Sequence, residues 1–177
     1  GCETTVYPLL PAHGLTAENI LAECGSRFDL VACCGGDGTL NHAVCGLMAL
    51  ERRPLLGYLP GGSTNDFANS LGLAIELEQG CAALADGRPF AYDIGRFNET
   101  YFNYVAAFGA FTAVSYSTPQ DTKNALGHAA YVLKGILSLP ESMSCRCHMK
   151  VEHDGLIEED EYLYGSVSNA TTVGGFA

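Results

Sequence analysis

Residues 28–40 read Phe28-Asp29-Leu30-Val31-Ala32-Cys33-Cys34-Gly35-Gly36-Asp37-Gly38-Thr39-Leu40, a strand, a glycine turn and a helix start in thirteen residues. Phe28 to Cys34 is a short apolar run of the kind that forms a buried strand. From Leu40 onward, Ala43, Val44, Leu47 and Met48 form the apolar face of a helix. A strand, a glycine turn and a helix start make an anion cradle: glycine lets backbone N–H groups approach closely, and the helix dipole favours negative charge. Asp37 adds a condition. A carboxylate beside a polyphosphate is repelled unless a divalent cation lies between them, and Mg²⁺ takes one or two carboxylates together with phosphate oxygens and water. The stretch therefore predicts a metal-bound nucleotide as ligand.

Downstream, a strand expected over Leu55 to Leu59 is followed by a second loop of similar design, Pro60-Gly61-Gly62-Ser63-Thr64-Asn65-Asp66, which leads into a helix. Two such loops at strand ends form a crevice beyond the carboxyl edge of a parallel sheet. The second loop also has a purely structural reading, in which Thr64 caps the helix near Asp66 to Leu71 while Asn65 and Asp66 complement its dipole. Standard fingerprints are missing. No G-x-x-x-x-G-K-[ST] occurs, and Asn41 stands where a third dinucleotide glycine would be needed. Charge neutralisation then falls mainly to metal.

Around these loops, Thr16 is placed to cap a helix Ala17 to Cys24 that stops at Gly25, and a further helix is expected over Ile75 to Ala85. From Pro89 the periodicity changes to that of strands. Phe90 to Gly95 and Tyr101 to Phe108 read as a hairpin about Asn98-Glu99, and Cys145 to His153 and Leu156 to Ser168 as a pair about Asp154-Gly155. The acidic run Glu158 to Glu161 reads as a solvated edge. One long helix, Gln120 to Leu139, ends at Pro140 and carries Leu126, Ala129, Val132, Leu133 and Ile136 on its apolar face. The expected fold is thus an α/β three-layer nucleotide-binding domain over 1–88, followed over 89–177 by a mainly antiparallel β domain, an incomplete β-sandwich with one long helix. The chain opens inside what reads as a strand and ends at Thr171 to Ala177 with nothing to close the sheet, so a fragment of a longer protein is expected.

Composition narrows the function. With 20 acidic against 9 basic residues, net charge −11, the chain lacks the clustered cations of a nucleic-acid binder and is disfavoured as a tight ligand of anionic membranes. Its 47% hydrophobic content and mean hydropathy of +0.11 suit a globular core. Its richest apolar stretch, Tyr101 to Val114, is interrupted by Asn103 and Gly109 and is too short to span a membrane. The eight cysteines lack framework spacing, which predicts reduced thiols in a cytosol. Cys145-x-Cys147-His148 has the wrong spacing for a zinc knuckle.

The ordered set of the two loops, Tyr92-Asp93-Ile94-Gly95, Tyr101-Phe102-Asn103 and Lys123-Asn124-Ala125-Leu126-Gly127 resembles the diacylglycerol kinase catalytic-domain family, in particular its soluble bacterial lipid kinases. Sphingosine and ceramide kinases are relatives, and NAD kinases and phosphofructokinases share the first glycine-aspartate motif. The resemblance implies an ATP- and Mg²⁺-dependent kinase that phosphorylates a hydroxyl of diacylglycerol or a related lipid. It implies that Gly35, Gly36, Asp37, Gly38, Thr39, Leu40 and Asn41 line the ATP phosphates, with Ser63, Thr64, Asn65 and Asp66 as the second nucleotide segment. It further implies that Asp37 and Asp93 share a catalytic Mg²⁺ network, and that a structural metal site and a carboxylate base lie beyond Ala177, so that the fragment alone is inactive.

A cytoplasmic protein in transient contact with a membrane surface follows from the same resemblance, with a homodimer left open. Many bacterial members carry an acidic residue where this chain has His42, which alters the charge at the rim of the site. A non-catalytic nucleotide-binding regulator of the same fold and an NAD kinase-like enzyme are the alternatives. Asp37→Asn is expected to abolish most turnover and leave the fold intact, because a surface loop does not hold a core together.

Overall fold

The computed structural model describes residues 2–74, 76–109 and 146–171. The chain separates into two compact units, Gly1–Val105 with Ser168–Ala177, and Ala106–Val167.

In the first unit, α1 (Ala17–Cys24) begins where Thr16 Oγ1 accepts the Asn19 N–H at 3.2 Å, as its sequence predicts. Strand β1 (Leu30–Gly35) pairs in parallel with β2 (Leu55–Pro60), in the register Leu30 to Leu55 through Gly35 to Pro60. Between them runs α2 (Asp37–Met48), and after them α3 (Asp66–Leu71) and α4 (Leu77–Asp86). Ala17, Leu21, Cys33, Leu40, Ala43, Leu47 and Phe67 form one buried cluster, so α1, α2, β1 and α3 share a core. Leu40, 1% exposed, contributes about 1.5–3 kcal/mol by burial. Only Cys33 of β1 is buried, so the strand expected to be buried along its length is partly open. Residues 2–9, expected to open within a strand, carry none. An extended segment becomes a strand only when a neighbour completes its ladder, and no described residue pairs with it.

The hairpin is shorter and later than expected. Strands β3 (Gly95–Phe97) and β4 (Thr100–Phe102) pair antiparallel about Asn98-Glu99, with Asn98 at φ 55. Phe90 to Ile94 carry no strand. Their aromatics pack instead of alternating on a ladder: the Tyr92 ring lies edge-on to Phe67 at 5.1 Å and to Phe90 at 6.4 Å. The run Tyr101 to Phe108 is broken at Asn103-Tyr104, after which β5 (Val105–Gly109) belongs to another sheet.

In the second unit, β5 pairs with β8 (Tyr164–Ser168), and β6 (Cys147–His153) pairs antiparallel with β7 (Leu156–Tyr162). Asp154 and Gly155 turn the hairpin with φ 49 and 78, the positive pair that a two-residue turn joining right-twisted strands requires. Leu156 to Ser168 is therefore two strands rather than one, because β7 and β8 serve different partners. Glu158 to Glu161 are exposed on β7, where Glu159 faces His148 at 3.6 Å and Glu161 faces Arg146 at 3.9 Å. The expected helix Gln120 to Leu139, with the Lys123 to Gly127 motif, lies outside the described residues. Helices around a parallel pair, followed by antiparallel strands, give the α/β-then-β class expected from the sequence.

Candidate functional site

The parallel register brings the two glycine loops to the same end of the sheet, since Gly35 lies opposite Pro60 and the Gly61 N–H donates to the Gly35 carbonyl at 2.8 Å. The loops touch through their glycines. A Cβ on Gly62 would fall 2.6 Å from Gly36 Cα, and one on Gly36 would fall 3.2 Å from Gly62 Cα, so neither position admits a side chain without parting the loops. At Gly38 the opposite holds. A Cβ there would meet nothing within 4 Å.

Helix α2 starts earlier than its apolar pattern indicates. Gly36 is its N-cap and Asp37 its first residue, so Asp37 lies within the helix's first turn rather than in a loop before it. Its carboxylate reaches across to α3: Oδ2 accepts the Asp66 N–H and Oδ1 the Phe67 N–H, both at 3.1 Å. The first N–H groups of a helix have no intrahelical acceptor, and here Asp37 supplies one from another element. The expectation that the fold ignores Asp37 is thereby corrected, because this carboxylate ties the two loops together. Thr64 is not the cap. Asn65 occupies that position in the left-handed region, φ 53 and ψ 43, and its side chain turns back to Gly62, accepting the N–H at 2.8 Å and donating to the carbonyl at 3.0 Å. Thr64 and Ser63 are exposed, and the Thr64 carbonyl accepts Asn69 Nδ2 at 3.0 Å.

Asp66 is buried, 3% exposed, and accepts the Tyr104 hydroxyl at 2.8 Å. Tyr58 donates its hydroxyl to the Gly35 carbonyl at 3.0 Å. Burial first, and the Asp37 carboxylate second, push the Tyr58 hydroxyl well above the ordinary tyrosine range. Burial and Asp93 push the Tyr92 hydroxyl upward as well, and Tyr92 Oη lies 3.1 Å from the Asn103 carbonyl and 2.6 Å from that of Asn169.

Not all the expected residues meet. Leu40 is in the core, so only its backbone is available to a ligand. Asn41 uses its carboxamide on β4 and the break beyond it, with Nδ2 donating to the Tyr101 carbonyl at 3.4 Å and Oδ1 accepting the Asn103 N–H at 3.2 Å. That clamp gives the physical reason for the break at Asn103. His42 is exposed and pairs with Glu18 on α1 at 3.3 Å. With Asn41, Cys45 and Tyr101, these two line an open cavity of about 420 Å³ beside α2. Asp93 is exposed, and its backbone carbonyl accepts Asn169 Nδ2. Among the described residues no hydrogen bond joins Asp93 to Asp37, and no cluster of three or more His, Cys, Asp or Glu is gathered for a metal. Tyr58, Tyr104 and Asn169 were not legible as site neighbours, since no motif or spacing links them to the loops.

A family model, that of the diacylglycerol kinase catalytic domain, matches residues 3–97. A diacylglycerol kinase of Bacillus subtilis is 39% identical over 151 residues, 85% of this chain and 49% of the relative. One of Staphylococcus epidermidis is 35% identical over 176 residues, 99% of this chain and 55% of the relative. A crystal structure of a diacylglycerol kinase from Bacillus anthracis superposes with a TM-score of 0.69 at 28% identity, covering 90% of this chain and 51% of that one. The chain thus spans about half the length of the relatives it matches. With the family model covering the paired loops and more than half of the residues, the chain belongs to the diacylglycerol kinase catalytic domain family.

Proposed function

We propose that the intact protein is an ATP- and Mg²⁺-dependent lipid kinase that phosphorylates the hydroxyl of diacylglycerol or a related lipid to a phosphatidate-type product. The observation that carries this reading is the pair of glycine loops at the ends of parallel strands, joined through Asp37 and open at Gly38. Glycine within a helix costs about 1 kcal/mol relative to alanine. Neither packing nor backbone conformation requires it at Gly38, so the absent side chain serves a close approach from outside. Backbone N–H groups of Gly36 to Asn41 and the Ser63 to Asp66 segment line the phosphates in this reading.

The acidic residues fit a metal that arrives on the nucleotide. Each Asp37 oxygen accepts one amide and keeps a lone pair, Asp93 is exposed, and among the described residues no protein cage competes. Such a site suits Mg²⁺, which binds through one or two carboxylates plus phosphate oxygens. Asp37 and Asp93 would hold the ion, which supplies neutralisation of the phosphoryl charge. The chain's own part is orientation: the loops fix the phosphates while the lipid hydroxyl oxygen bonds to the γ-phosphorus, the bond to the β–γ bridging oxygen breaks so that ADP leaves with that oxygen, and the hydroxyl proton passes to a base. Reaching that substrate calls for transient contact between a cytoplasmic protein and a membrane surface.

The test is to incubate the intact protein with Mg²⁺-ATP and diacylglycerol in mixed micelles, with NAD offered in parallel. Phosphatidate is expected. Phosphorylated NAD instead would establish an NAD kinase, and ATP binding without turnover would establish a regulator.

A further inference from the structure

Tyr104 stands at the break between β4 and β5, and its hydroxyl donates to Asp66 Oδ2 at 2.8 Å. Its 38-residue separation from Asp66 makes this a tertiary contact. A carboxylate as buried as that of Asp66 needs donors, and a phenol on a rigid ring also fixes which way the carboxylate points.

The segment that brings the hydroxyl there is itself held from several sides. Asn41 clamps the Tyr101 carbonyl and the Asn103 N–H as a neighbouring strand would. The Asn169 N–H donates to the Tyr104 carbonyl at 2.8 Å, and Tyr92 Oη lies against the carbonyls on either side of this contact, those of Asn103 and Asn169. Helix α2 closes the circuit. Its first residue, Asp37, holds the Asp66 main chain, and one turn later Asn41 holds the segment whose Tyr104 holds the Asp66 side chain. The hold on the Asp66 N–H and the hold on its side chain through Tyr104 therefore each trace back to the helix whose first turn forms the phosphate cradle.

We propose that Tyr104 is a positioning residue of the nucleotide site, fixing the Asp66 carboxylate relative to the cradle; the inference rests on the reading of the paired loops as the place where Mg²⁺-ATP binds. Tyr104 acts through Asp66 and carries no chemistry of its own.

A double-mutant cycle on the intact protein tests it, with Tyr104→Phe, Asp66→Asn and the double variant compared for Mg²⁺-ATP binding by calorimetry and for urea unfolding. Phenylalanine keeps the ring, and asparagine keeps the carboxylate's shape. Tyr104→Phe is expected to weaken Mg²⁺-ATP by about tenfold, equal to 1.4 kcal/mol, and to add little once Asp66 is asparagine, as residues that act together do. Losses that multiply in the double variant would overturn the inference. So would a Tyr104→Phe protein that melts earlier yet binds Mg²⁺-ATP like wild type, since that is a structural role alone. Wild-type protein that binds no Mg²⁺-ATP would overturn the reading of the loops and this inference with it, an outcome visible before any variant is made.

Discussion

Asp37→Asn separates two roles that one carboxylate carries. In the structure its two oxygens accept the N–H groups of Asp66 and Phe67 at 3.1 Å each. A carboxamide keeps one acceptor, but its other end is an NH₂ facing a backbone N–H, so one hydrogen bond is lost and two donors meet. A hydrogen bond to a charged group contributes about 1.5–3 kcal/mol, and negative charge at a helix start about 0.3–1 kcal/mol. Because Asp37 is half-buried rather than enclosed, the lower ends apply, and the expected loss is about 2 kcal/mol. Urea unfolding of the intact protein without nucleotide measures it as a lowered midpoint at unchanged slope. Asp93→Asn is the control. Asp93 is exposed and is held through its backbone carbonyl, so its stability should stay within about 0.5 kcal/mol of wild type, although the proposed metal role has both variants losing turnover. Equal stability of Asp37→Asn and wild type would refute the capping argument.

Gly38→Ala should leave the fold intact or stabilise it by up to about 1 kcal/mol while weakening Mg²⁺-ATP by about tenfold or more in calorimetry; unchanged affinity would remove Gly38 from the cradle. Gly62→Ala forces the loops apart against Gly36 Cα and should cost about 1–3 kcal/mol in urea unfolding. Asn103, 1% exposed, has neither side-chain amide atom hydrogen bonded, so Asn103→Leu should be neutral or stabilising by about 1 kcal/mol, and a clear loss in the same assay would show that the amide has a partner. The raised Tyr58 hydroxyl means that the folded state holds this proton more tightly than the unfolded chain. Its contribution is complete below the ordinary tyrosine value near pH 10 and is lost as pH rises above it, so Tyr58→Phe should flatten the alkaline decline of stability measured from pH 8 to 11.

Local signals explain what the sequence made legible. Thr16 and Gly25 bracket α1 within its own stretch of chain, and the Leu55 run and the Asp66 to Leu71 helix were recognisable for the same reason. What remained hidden depends on partners far along the chain. Asp37 caps a helix 29 residues away, Asn41 clamps backbone 60 and 62 residues away, and neither contact leaves a periodicity. The Asn41 clamp breaks Tyr101 to Phe108, a run whose alternation reads as one strand. Aromatic packing of Tyr92 against Phe67 likewise displaces the strand expected from Phe90. The Gly-Gly-Asp-Gly motif marked the first loop, but it could not show that its aspartate joins that loop to the second.

In the proposed function these loops cradle the phosphates of ATP. A crystal structure of the intact protein with Mg²⁺ and a non-hydrolysable ATP analogue tests it most directly. Phosphate oxygens are expected within hydrogen-bonding distance of backbone N–H groups between Gly36 and Asn41, with a phosphate packed against Gly38. A nucleotide bound elsewhere, with Gly38 still facing open solvent, would contradict it.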